Sequence, residues 1–139
     1  MAGKTAPIVP EDLTTEDWHG LIGAYPNALL IGPADATGRV IEALLPQLQQ
    51  PISRCAGARL SLPEDPGGTL IVEEVAALST DDQRRLLDWL LEPGRLTQVL
   101  ATASTPVFPH VANGSFLDVL YYRLNVMAFT VGSGTGHAG

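Results

Sequence analysis

A chain of 139 residues with 45% hydrophobic side chains is long enough for one domain with a real core, which excludes wholesale disorder. Its 15 Asp and Glu against 8 Lys and Arg leave a net charge of −7, a surface that repels phosphate backbones and speaks against direct nucleic-acid binding. The lone Cys55 excludes an intramolecular disulfide or a cysteine zinc cage, and His19, His110 and His137 lie too far apart for metal-ligand spacing, so no metal site is expected. No apolar run reaches bilayer length and the first residues carry no signal core, so a soluble, reducing, cytoplasmic setting without membrane contact is expected.

In chain order, residues 1–12 read as a tail; the "GKT" at Gly3–Thr5 follows no strand and has no upstream glycine at phosphate-loop spacing. Thr14 and Thr15 then offer N-caps to a short helix, whose apolar face is Trp18, Leu21, Ile22 and Tyr25 and which Pro26 stops. "ALLIG" is a wholly apolar strand of the kind buried on both faces. A loop from Gly32 to Gly38 follows, and a helix starting near Thr37 runs until Pro46 disturbs it. "PISRC" is a second strand, "RLSLPEDPGG" a turn-rich connection and "TLIVEEV" the strongest strand. Ser79 or Thr80 caps the next helix, with Asp81 and Asp82 favourably placed at its N-terminus and Leu86, Leu87, Leu90 and Leu91 as its packing stripe; Pro93 and Gly94 end it.

"RLTQVLATAS" is another strand, "NGSFLDVLYYRL" a helix started at Asn113 or Ser115, and "NVMAFTV" a last strand before a Gly/Ser-rich tail, 132–139. Strands alternating with helices predict an α/β domain over 13–131, three-layered, with a mostly parallel sheet of about five strands. Cys55 reads as a small buried hydrophobe and His110 as a loop residue.

Four segments, taken in order, resemble the AAA+ ATPase domain of bacterial sigma-54-dependent transcription activators. "PISRCAGARL" is similar to the family's "PFVxVNCAAL". "GGTLIVEEVAALSTDDQRRLLDWL" is similar to its Walker B segment and the helix after it. "QVLATAS" stands at the sensor strand, and "GSFLDVLYYRLNVM" resembles "G-x-F-R-x-D-L-Y-Y-R-L-N-V". The resemblance covers about Asn27 to Val131 and implies a P-loop NTPase-like core. It also implies roles. Gly32, Asp35, Thr37, Gly38 and Arg39 fall in the phosphate loop, Glu73 and Glu74 in the Walker B pair, Ser104 at the sensor, and Arg123 at an arginine offered across a subunit interface.

Departures from the family pattern touch most of these positions. Arg39 replaces the Walker A lysine and Val40 follows it, while the first glycine is displaced by one position and Pro33 removes a backbone donor. Asp35 puts a carboxylate where an anion would dock; either it competes with phosphate while paired to Arg39, or it faces solvent. Glu73 is longer by one methylene than the family's magnesium-holding aspartate, whereas Glu74 keeps the type of the water-orienting glutamate; an acidic pair at a solvated strand end is the plainer reading. Ser104 replaces an asparagine and Leu117 the first of two arginines; Arg123 keeps the second, or is a surface salt-bridge partner.

"SLPEDP" bridges directly where the family inserts a helix and the sigma-contacting "GAFTGA" loop, so Arg39 and Glu73 are only 34 positions apart. The helical lid and DNA-binding helix-turn-helix of the family are expected to be missing. The resulting expectation is a degenerate, pseudo-ATPase interaction module in bacterial transcription regulation, without resident cofactor, acting through contacts with itself or a related AAA+ activator. The alternatives are a weak ATP or ADP binder with magnesium, a residual ATPase, or a decayed fragment without a selected role.

Overall fold

The computed structural model describes residues 13–132. The expected tail 1–12, and that of 132–139 beyond Gly132, lie outside the described residues. Among the described residues, five helices and five strands follow in the order α1 (Thr15–Gly23), β1 (Ala28–Ile31), α2 (Ala34–Leu44), β2 (Ile52–Ala56), β3 (Thr69–Glu73), α3 (Thr80–Leu90), β4 (Gln98–Ala103), α4 (Phe108–Ala112), α5 (Asp118–Leu124) and β5 (Met127–Thr130). Short 3-10 turns follow α2, β2 and β3. The strands form one sheet in the order β2-β3-β4-β1-β5, and every neighbouring pair is parallel. No helix among the described residues is long and apolar enough to cross a membrane.

Strand alternation divides the core in two. Leu29, Leu70, Val72, Val99 and Ala101 project to one face, where Leu86 and Trp89 of α3 and Leu120 and Leu124 of α5 cover them. Ala28, Leu30, Ile71 and Leu100 project to the other, under Trp18 and Leu21 of α1 and Val40, Ile41 and Leu44 of α2. β1, β3 and β4 are buried on both faces, which is why their sequences are apolar almost without interruption. Burying a leucine in such a position contributes about 1.5–3 kcal/mol.

Capping set several element starts as expected. The Thr14 hydroxyl accepts from Asp17 N–H at 3.0 Å and the Asp17 carboxylate accepts from Thr14 N–H at 3.3 Å, a capping box for α1. The Ser79 hydroxyl accepts from Asp82 N–H at 3.1 Å and caps α3.

Five local expectations need correction. Tyr25 lies beyond α1, which ends at Gly23, in a left-handed conformation at φ 53°. On α3 the buried stripe is Gln83, Leu86 and Trp89; Leu87 and Leu90 are half-buried, and Leu91, one residue past the helix, is 48% exposed. The expected helix from Asn113 or Ser115 is broken. The Asn113 side chain accepts from Ser115 N–H at 2.9 Å, Gly114 turns at φ 85°, and α5 starts only at Asp118. His110 sits in the short helix α4 rather than a loop, and Cys55 is half-buried.

Candidate functional site

The C-terminal ends of parallel strands form the crevice edge where α/β proteins place ligands. Here β1, β3 and β4 lead to Gly32, Glu73–Glu74 and Ser104 respectively, so the sheet order brings the three expected regions to one end of the molecule.

At the β3–β4 end the expected residues meet. Glu74 follows β3 in a left-handed conformation, φ 54° and ψ 61°, which costs a residue with a Cβ about 1–2 kcal/mol. Three anchors hold it there. Its N–H donates to the Thr102 hydroxyl at 3.2 Å, its carboxylate accepts from the Ser104 hydroxyl at 3.2 Å, and its carbonyl accepts from Ala77 N–H at 2.9 Å. Gly57 passes so close that a Cβ there would collide with the Glu74 carbonyl oxygen.

Glu73 points elsewhere. Arg54 of β2 donates to its Oε2 through Nη2 at 2.9 Å and Nε at 3.2 Å, and through Nη1 to Glu42 of α2 at 3.2 Å. The Arg54 guanidinium is partly desolvated, which lowers its pKa; the two carboxylates outweigh this and leave it raised. Its role was not foreseen from sequence. The signal lies in the register: Arg54 pairs with Ile71, so it shares a sheet face with Glu73 and with α2.

At the β1–α2 end the expected loop is not formed. Helix α2 begins at Ala34 rather than near Thr37, leaving only Gly32 and Pro33 between strand and helix. Pro33 presets a helix-compatible φ of −55°, Ala34 and Ala36 are strong helix formers, and Asp35 stands in the first turn where the helix dipole favours it. The Pro33 carbonyl accepts from Ala36 N–H at 2.9 Å and Thr37 N–H at 3.0 Å, so these donors serve the helix. The Thr37 hydroxyl bonds back to the carbonyls of Pro33 and Ala34 at 3.4 and 3.3 Å.

Gly38 and Arg39 lie within the same helix, and Arg39 forms an i,i+4 ion pair with Asp35 at 3.3 Å, both side chains more than half exposed. Asp35 is thus paired to Arg39 and open to solvent. Gly32 itself is closed off, because a Cβ there would collide with the carbonyl oxygen of Val131, which continues β5 alongside.

Arg123, at the end of α5, is exposed and has no ion pair among the described residues; its backbone carbonyl accepts from the Asn27 side chain at 2.9 Å. Leu117 instead serves the fold: its N–H donates to buried Gln83, whose amide nitrogen in turn donates to the carbonyls of Leu78 and Ser115. Gln83 thereby ties α3 to the segment leading into α5. Residues 60–68, between the turn after β2 and β3, hold no helix. Among the described residues no group of three or more His, Cys, Asp or Glu side chains converges on a point where a metal ion could sit.

Comparisons with known proteins match this fold. The model of the sigma-54 interaction domain matches residues 27–133. The chain belongs to the sigma-54 interaction domain family. Nitrogen fixation protein VnfA of Azotobacter vinelandii is 35% identical over 79 residues, 49% of this chain and 15% of VnfA.

Crystal structures of NtrX from Brucella abortus with ATP and with ADP superpose at TM-scores of 0.69 and 0.68, each at 17% identity, covering 92% and 84% of this chain and 39% and 34% of NtrX. The P-loop NTPase domain of a sigma-54 transport activator from E. coli superposes at 0.58 with 16% identity, covering 81% of this chain and 95% of that domain. This sigma-54 interaction domain thus has the α/β core of activator ATPase domains. It spans only a small part of VnfA and about a third of NtrX.

Proposed function

We propose that this sigma-54 interaction domain is a non-catalytic module that acts in transcription regulation through protein contacts. What carries the reading is the course of the backbone after β1: two residues separate the strand from α2, where a phosphate cradle needs a loop of free N–H donors. Pro33 has no N–H, and those of Ala36 and Thr37 are already bonded to Pro33. A triphosphate with magnesium therefore fits these residues poorly.

Further support comes from Glu73, engaged by Arg54, and from the Thr37 hydroxyl, turned back into its helix. Each loss removes a separate interaction that phosphoryl transfer needs, so their combined effect on rate is very large. The helix-free connection 60–68 leaves no room for the sigma-contacting loop of the family, which points the module toward another protein surface.

A second reading, a weak regulatory nucleotide binder, is favoured by one observation: Glu74 is held in a strained conformation by Thr102 and Ser104. Isothermal titration calorimetry with ATP and ADP, each with magnesium, separates the two. The non-catalytic reading expects no saturable heat. Micromolar binding lost in Arg39→Ala would replace it with the second reading.

A further inference from the structure

The two edges of the sheet are treated differently by the sequence. At the β2 edge, Arg54 stands in mid-strand and is fixed by Glu42 and Glu73, and Pro51 precedes the strand. Charge and proline are the usual means of keeping an edge from pairing with another chain. At the other edge β5 has one strand neighbour among the described residues, β1. The run Val126–Val131 holds neither a charged residue nor a proline. Met127 N–H and Val131 N–H donate inward, to the carbonyls of Asn27 and Ile31. By alternation, the N–H and C=O groups of Ala128 and Thr130 point outward. Both of these residues are exposed, as is Val126 (61%), two positions before Ala128.

We propose that β5 pairs antiparallel with β5 of a second copy of this chain, about a two-fold axis at Phe129, giving one continuous ten-stranded sheet. This narrows the protein-contact reading above to one surface and one partner. The outward groups favour a second copy because they are self-complementary. Ala128 of one chain meets Thr130 of the other and the reverse, each pair exchanging N–H···O bonds, while the two Phe129 side chains oppose each other beside the axis. The absence of charge on β5 lets two chains of net charge −7 approach at this edge although they repel elsewhere. Added salt therefore strengthens the association. Edge pairing buries little area, so the dimer is weak and concentration-dependent.

The experiment is analytical ultracentrifugation of the full chain and of an Ala128→Lys/Thr130→Lys variant over about two decades of concentration, at low and high salt. Amide hydrogen exchange on the wild type accompanies it. Both lysines replace exposed side chains, and circular dichroism checks that the variant keeps its fold. The proposal expects a wild-type dimer that dissociates on dilution and is strengthened by salt, and a variant that is monomeric throughout. It also expects protection of the Ala128 and Thr130 amides that rises with concentration, while Phe129 is protected at every dilution.

A monomer at all concentrations would overturn it, and so would a dimer indifferent to the lysines. Protection of Ala128 and Thr130 that does not change on dilution would mean that the chain covers its own edge. Each of these failures leaves the calorimetric test of the non-catalytic reading untouched.

Discussion

The two ends of the candidate site began from similar sequence evidence and came out differently. After β3 and β4, the structure brings Glu74, Thr102 and Ser104 into hydrogen-bonding distance around a backbone held in a left-handed conformation. After β1, Asp35, Thr37, Gly38 and Arg39, read from sequence as a phosphate loop, lie within α2, and the polar groups around them serve the helix. The difference teaches that a motif's residue types persist in a chain independently of the backbone shape that gives them chemistry. Glu74 is held against its conformational preference, whereas Asp35, in the first turn of α2, and Arg39 follow theirs.

The contrast can be broken most sharply at Gly32. A Cβ there meets the Val131 carbonyl, so Gly32→Ala should destabilise the domain by about 2–3 kcal/mol in urea unfolding, as overpacking does. Unchanged stability would mean that β5 does not close the β1–α2 end. Next in size is Gln83→Met, which leaves the Leu117 N–H and the carbonyls of Leu78 and Ser115 without their buried partner. A loss of about 2 kcal/mol is expected in the same measurement.

At Glu74 the sign reverses. Glu74→Gly removes the left-handed penalty and should raise stability by about 1 kcal/mol, less the small contribution of the exposed Ser104 bond. Destabilisation instead would show that the carboxylate, not the backbone, organises that end. The smallest effect is expected at Gly38, in mid-helix with open space where a Cβ would stand. Gly38→Ala should add about 0.5–1 kcal/mol to stability and raise the thermal midpoint, because α2 is an ordinary helix there. A loss of stability would point to a loop-like backbone at this position.

Much of the fold was legible in the sequence because it rests on local physics. Apolar runs such as "TLIVEEV" and "QVLATA" mark strands buried on both faces, and Thr14 and Ser79 mark helix starts through a single side-chain bond each. The Glu74–Ser104 meeting was legible only through resemblance, since 30 positions separate the two residues. The helix break at Asn113–Ser115 was misread because the same side chains that cap helices also stabilise turns, and the positive φ of Gly114 settled the choice.

By itself, the sequence determined all five strands and most of the helices, because periodicity and caps act between residues a few positions apart. Only the tertiary structure decided which strands are neighbours, and with them the partners of Glu73, Gln83 and Gly32. Three of those partners, Arg54, Leu117 and Val131, lie 19 to 99 positions away, on segments whose register is fixed by burying both sheet faces at once, and no local preference encodes that.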